Sequence, residues 1–97
     1  MITLENNVVR TAEILKVLGH PARVEILRLI GSSKGRQLTV KQIHEYLGIP
    51  QPEASKHLLV MKARSILYCE RKEGYSFYRL NDKITLLKTV LNHLKVK

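Results

Sequence analysis

The stretch IPQPEASKHL, residues 49–58, decides how the whole chain is read. Pro50 and Pro52 stand one residue apart, and Pro52 has no backbone donor to lose in a first turn, so it favours a helix start there. The side chains that follow are mostly polar: Gln51, Glu53, Ser55, Lys56 and His57 all precede the first leucine. Leu58, Leu59 and Met61 then turn inward, and the helix continues to about Arg64.

Just upstream, Thr39 is an N-cap candidate for a helix that carries Ile43 and Leu47 on one face and closes at Gly48. Two helices joined by a three-residue turn form a helix-turn-helix pattern. In such a pair the second helix enters a major groove with its N-terminal residues towards the base edges. That accounts for polar opening turns. Gln51 can pair with adenine, Ser55 with a base edge or a phosphate, Lys56 with guanine or phosphate, and His57 with phosphate. The amides at the helix start also suit phosphate. Glu53 is awkward, because it can accept from a cytosine amino group but repels phosphate; favouring the helix N-terminus by its charge is the better reading.

Working outward, residues 5–18 show helical spacing of apolar positions with a wide stripe. Gly19 interrupts it, and HPARVEILRLIG follows with His20 as a cap and Pro21 at the first helical position. GSSKG, residues 31–35, reads as a loop. Towards the C-terminus, ILYCER (66–71) and YSFYRL (75–80) are β-rich with KEG between them, a hairpin signal. Asp82 is placed to cap a last helix carrying Ile84, Leu87, Leu91 and Leu94. The expected order is four helices, a hairpin and a closing helix, in one domain over 1–97. The hairpin region adds basic residues, among them Lys62, Arg71 and Lys72. Arg71 and Lys72 lie at the expected tip, where they can reach a flanking DNA backbone or minor groove; the plain alternative is a solvated turn.

Composition agrees with this reading. Lysine and arginine number 17 against 8 acidic residues, a net charge of +9 in 97 residues, which attracts phosphate polyanions and anionic surfaces. The apolar runs are far too short for a membrane span, and MITLENNVVR has neither the basic start nor the apolar core of a signal peptide. One cysteine, Cys69, excludes an internal disulfide and fits a reducing cytoplasm. A small buried residue is its better reading than a redox switch. His44 is read as a surface residue, and the aromatics of the hairpin as core and interface packing rather than base-stacking platforms. Nucleophile–base motifs and phosphate-binding glycine loops are absent, so an enzyme is not expected. The first and last helices carry more apolar surface than such a small core needs, which points to a homodimer.

Three segments together, LKVLGHPARVEILRLI (15–30), LGIPQPEASKHLLVMK (47–62) and ERKEGYSFYRL (70–80), resemble the ArsR (arsenic-repressor, ArsR/SmtB) family of winged helix-turn-helix regulators. Gln51-Pro52, Ser55 and His57-Leu58 match a distinctive part of the family pattern. The resemblance implies a mainly α fold with a β-hairpin wing, and a homodimeric transcription factor, usually a repressor, that binds double-stranded DNA at a palindromic operator. It also implies that the first and last helices form the dimer interface.

Departures from the family pattern bear on control. Many members sense metals through a cysteine pair in the third helix, where this chain has Thr39 and Lys41. Others bind zinc between the last helices; Asp82 and His93 resemble part of that set, but Ile84 and Val96 stand where other ligands are expected. No metal or other cofactor is therefore expected, and the effector is left open. Pro50 stands where relatives have a capping serine, and Ser65 where they have a glycine. The rival reading is a protein-interaction winged helix whose basic face meets an acidic partner without reading DNA sequence.

Overall fold

The computed structural model describes residues 3–96; Met1, Ile2 and Lys97, which the single-domain expectation includes, lie outside the described residues. Helix α1 (Asn6–Leu18) is followed by α2 (Pro21–Ser32), a 3₁₀ turn (Lys34–Arg36), β1 (Gln37–Thr39), α3 (Val40–Leu47) and α4 (Gln51–Ala63). The hairpin β2 (Leu67–Lys72) and β3 (Tyr75–Leu80) comes next, and α5 (Thr85–His93) closes the chain. The sheet is antiparallel in the order β1-β3-β2. This is the winged helix-turn-helix arrangement expected from the sequence, with one strand added.

The added strand, β1, falls just after the stretch read as a loop. Three residues are too few to show alternation, and β1 exists because β3 pairs with it, Gln37 opposite Arg79 and Thr39 opposite Phe77. Arg79 Nη1 also donates to Gln37 Oε1 at 2.9 Å. The expected loop start at Gly31 is another correction, since α2 runs on to Ser32. A Cβ at Gly31 would meet the Leu91 side chain at 3.0 Å, so the glycine lets α5 pack closely on α2.

Helix α3 starts as its sequence suggests. Thr39 Oγ1 accepts from the Gln42 amide and Gln42 Oε1 accepts from the Thr39 amide, a reciprocal capping box. Gly48, at φ 68°, ends the helix in the left-handed conformation. His20 caps α2 by accepting from the Ala22 amide. Asp82 does not cap α5: it is exposed, and the residue at the cap position is Ile84, with no side-chain bond. Asn81 organises that corner instead, accepting from the Lys83 amide and donating to the Ser65 carbonyl.

A contiguous core lies between the sheet and the helices, with Ile26, Leu27, Ile30, Ile43, Leu58, Met61, Ile66 and Leu67 fully buried. The outer helices behave differently from one another. In α5, Leu87 and Leu91 are buried and Leu86, Val90 and Leu94 half-buried, so most of its apolar surface serves this core. By contrast, the N-terminal segment leaves Leu4, Val8, Val9 and Leu15 between 41% and 56% exposed.

Candidate nucleic-acid interface

The geometry of α4 follows from what holds its inner face. Ala54, His57, Leu58 and Met61 are buried, a spacing of three, four and seven residues that makes one stripe against the core. Gln51, Glu53, Ser55, Lys56 and Lys62 are exposed. The structure thus brings Gln51, Ser55, Lys56 and Lys62 to the outward side of one rigid helix, each carried by backbone that the buried stripe fixes.

His57 departs from the expectation of a phosphate contact. It is only 8% exposed, and its Nδ1 accepts from Arg23 Nε at 3.3 Å. Arg23 reaches on to the Val17 carbonyl at 3.2 Å, and the His20 ring meets His57 edge-on at 4.7 Å. Burial lowers the His57 pKa first, and the nearby His20 and Arg23 lower it further, with Glu53 opposing them. The imidazole is neutral near pH 7 and accepts at Nδ1, so it clamps α4 to the start of α2. The signal was present in the sequence: position 57 falls in phase with 54, 58 and 61, whereas Leu59, expected inside, does not and is 68% exposed.

The start of α4 also differs from expectation. Pro50 occupies the cap position and offers no side-chain acceptor, as the departure from serine implied. Pro52 has no amide, and the Glu53 and Ala54 amides both bond the Pro50 carbonyl, at 3.1 and 3.2 Å. Few backbone donors are left there for an anion, so any recognition by this end of the helix depends on side chains. The turn before it is braced by His44, a half-buried residue rather than a surface one, whose Nδ1 donates to the Ile49 carbonyl at 3.1 Å.

At the other end, Ser65 adopts φ 59° to turn the chain from α4 into the wing. The glycine usual there has no steric cost in this conformation; serine does, on the order of 1 kcal/mol. Arg64 pairs with Glu13 at 3.4 Å and so ties the end of α4 to α1.

The wing turn is Glu73-Gly74, with φ 51° and 83°, a two-residue turn with both central residues left-handed, as type I′ hairpins require. Arg71 and Lys72 are exposed on neighbouring positions and therefore point to opposite faces of the ribbon. Arg71 donates to Ser76 Oγ at 3.3 Å, and Lys72 lies 3.1 Å from Glu70 Oε1, an ion pair by distance that lacks hydrogen-bond geometry. Arg79 is held by Tyr68 and Gln37. Of the wing aromatics, Tyr78 packs on the core while Tyr68 and Tyr75 are exposed, which corrects the expectation that all would be packed. Cys69 is half-buried rather than buried and stands opposite Tyr78, whose phenol is pushed above its ordinary pKa by burial and then by that thiol.

Sequence reasoning passed over Lys41 except as a position unfit for metal. It is exposed in the first turn of α3 and lines an open cleft of about 500 Å³ with Gln42, Tyr75, Ser76 and Phe77. The cleft joins the helix pair to the wing. Among the described residues, no three His, Cys, Asp or Glu come together as a metal group, and Asp82 and His93 sit beyond the start and at the end of α5. No described helix is long and apolar enough to cross a membrane.

An outward-facing polar helix behind a braced turn, beside a basic two-stranded wing, defines the class of winged helix-turn-helix regulators. A helix-turn-helix domain family matches residues 18–67. The transcriptional repressor SdpR of Bacillus subtilis is 32% identical over 79 residues, covering 81% of this chain and 82% of that protein. The transcriptional repressor PagR of Bacillus anthracis is 32% identical over 85 residues, covering 87% and 83%. The PagR crystal structure superimposes with a TM-score of 0.75 over 87% of this chain and 92% of that one, at 28% identity. HlyU from Vibrio cholerae shares the fold at a TM-score of 0.79, covering 94% of each chain at 22% identity. The chain belongs to the ArsR/SmtB family of winged helix-turn-helix transcriptional regulators.

Proposed function

We propose that this protein is a homodimeric repressor that reads a palindromic operator in double-stranded DNA through Gln51, Ser55 and Lys56 of α4. The observation that carries the reading is the two-sided construction of that helix. Its inner stripe is locked by Ala54, His57, Leu58 and Met61, so the outer side chains are presented in one orientation. Lys62, Arg71 and Lys72 supply phosphate contacts, and Arg71 and Lys72, on opposite wing faces, engage different strands or different operator arms. Glu53 lies in the first turn, where its charge favours the helix start.

Dimerisation is supported by the exposed apolar side chains of residues 4–15, whose cover by a second copy removes them from water. The relatives point the same way: one structural neighbour, an ArsR-family candidate from Mycobacterium bovis, is described as homodimeric. A two-fold dimer sets two copies of α4 about 34–36 Å apart, one turn of DNA.

The test is selection of duplexes from a random pool by the purified protein, followed by binding at two salt concentrations. An inverted repeat with half-sites about one turn apart is expected, with affinity falling steeply as salt rises. The double variant Gln51→Ala, Lys56→Ala should lose operator preference while remaining dimeric. One observation favours the rival reading of an acidic protein partner: Glu53 is exposed at the very end of the helix meant to face phosphate. That reading gains if no sequence is enriched and DNA binding is weak and salt-labile throughout.

A further inference from the structure

We propose that Leu59 is a specificity-determining residue that packs against the C5-methyl group of a thymine in each operator half-site. The proposal rests on the DNA-reading function above and adds a contact of a different chemistry to it.

The starting observation is an inversion on α4. At position 57 a histidine is buried, and two residues on a leucine is 68% exposed. Leu59 is not part of the core, nor is it among the half-buried residues packed against it. Helical geometry places it among the proposed reading residues. At about 100° per residue, Leu59 projects between Ser55 and Lys56, roughly 40° from one and 60° from the other. It points away from the stripe of Ala54, Leu58 and Met61, and lies about 6 Å further along the axis than Ser55. The apolar surface offered for dimerisation belongs to residues 4–15, on a different element.

An exposed leucine flanked by Ser55 and Lys56 cannot hydrogen-bond a base edge or attract a phosphate. The apolar feature of the major groove is the C5-methyl group, which among the four bases only thymine carries. Contact between the two removes both from water, and Leu59 needs no rearrangement to make it because the backbone beneath it is fixed by Leu58 and Met61.

The experiment uses the full chain and the operator recovered by selection. Each thymine is replaced in turn by deoxyuridine, which keeps the hydrogen-bonding edge and deletes only the methyl. One symmetry-related thymine pair is expected to be sensitive. Losing one buried methyl weakens binding about fourfold per half-site, so about fifteenfold with both replaced. Leu59→Ala should weaken binding to the thymine operator by a similar factor and should be indifferent to deoxyuridine at that pair. Its thermal midpoint should match the parent, because the side chain is exposed. If an operator is selected but no thymine pair is sensitive, or Leu59→Ala keeps the sensitivity, this proposal is overturned and the DNA-reading function stands. If no operator is selected at all, both fail.

Discussion

His57→Ala separates a structural histidine from a DNA contact at the residue next to Lys56. In the structure the ring fills a buried site between α4 and the start of α2, with His20 edge-on at 4.7 Å and Arg23 donating at 3.3 Å. Deleting it removes a hydrogen bond from a charged donor, worth about 1.5 kcal/mol at the low end of that class because Arg23 is half-buried and water can partly replace the acceptor. Lost ring packing and a residual void add about 1–2 kcal/mol. Alanine returns about 0.5 kcal/mol through its higher helix propensity. The net loss is about 2–3 kcal/mol, which for a domain of this size lowers the melting temperature by roughly 10–20 °C. Circular dichroism melts at pH 7.5 read this directly, with Lys56→Ala as the matched control that should melt like the parent. If His57→Ala also melts like the parent while losing operator affinity, the ring is a surface ligand and the clamp argument is wrong.

Three further outcomes follow from the same geometry. Because burial holds the His57 pKa below its usual value, the folded state disfavours the protonated ring that the unfolded chain accepts. Its contribution to stability is therefore complete above about pH 6.5 and is lost as pH falls through the lowered folded value; urea midpoints between pH 7.5 and 5.5 should drop for the parent and fall less for His57→Leu. Ser65→Gly relieves a left-handed serine at φ 59°, and after the added freedom of the unfolded chain it should gain about 0.5 kcal/mol, or 2–4 °C in a thermal melt; a loss would mean that the serine side chain contributes more than its backbone strain. Leu15→Glu places a charge in the exposed apolar face of α1 and should give a folded monomer by light scattering, with operator affinity reduced at least a hundredfold by loss of the second half-site; an intact dimer would move the interface elsewhere.

What could be read from the sequence is what local chemistry specifies. Helix α3 announces itself by Thr39, Gln42 and Gly48, because a capping box and a left-handed closing residue are satisfied within a few residues. The wing turn is legible for the same reason, in Glu73-Gly74. Strand β1 was not legible, since three residues acquire their conformation from β3, some forty positions away. The inversion at 57 and 59 was legible in phase but hidden by residue type: leucine suggests the interior and histidine the surface, and the helical period overrules both. Asp82 was a reasonable cap by type, yet the chain turns at Asn81, whose side-chain amide donates to the Ser65 carbonyl at the base of the wing. The close seat of α5 on α2 is not legible in helical spacing, because it depends on Gly31, which lets that helix come near enough to bury Leu87 and Leu91.

The opening stretch explains why side chains, rather than backbone, should govern recognition here. A helix N-terminus ordinarily offers unpaired amides and a partial positive charge to phosphate. In this chain Pro50 gives no side-chain acceptor, Pro52 gives no donor, the next two amides bond the Pro50 carbonyl, and Glu53 sets a negative charge in the same turn. Each feature makes the helix end a poorer anion site than usual, while the helix itself is fixed from behind by His57, Leu58 and Met61. In the proposed reading, phosphate affinity then falls to Lys62 and the wing, and sequence choice to Gln51, Ser55, Lys56 and Leu59. A helix so arranged gains little from DNA in general at its tip. Its preference for one sequence over another should therefore be large relative to its total affinity.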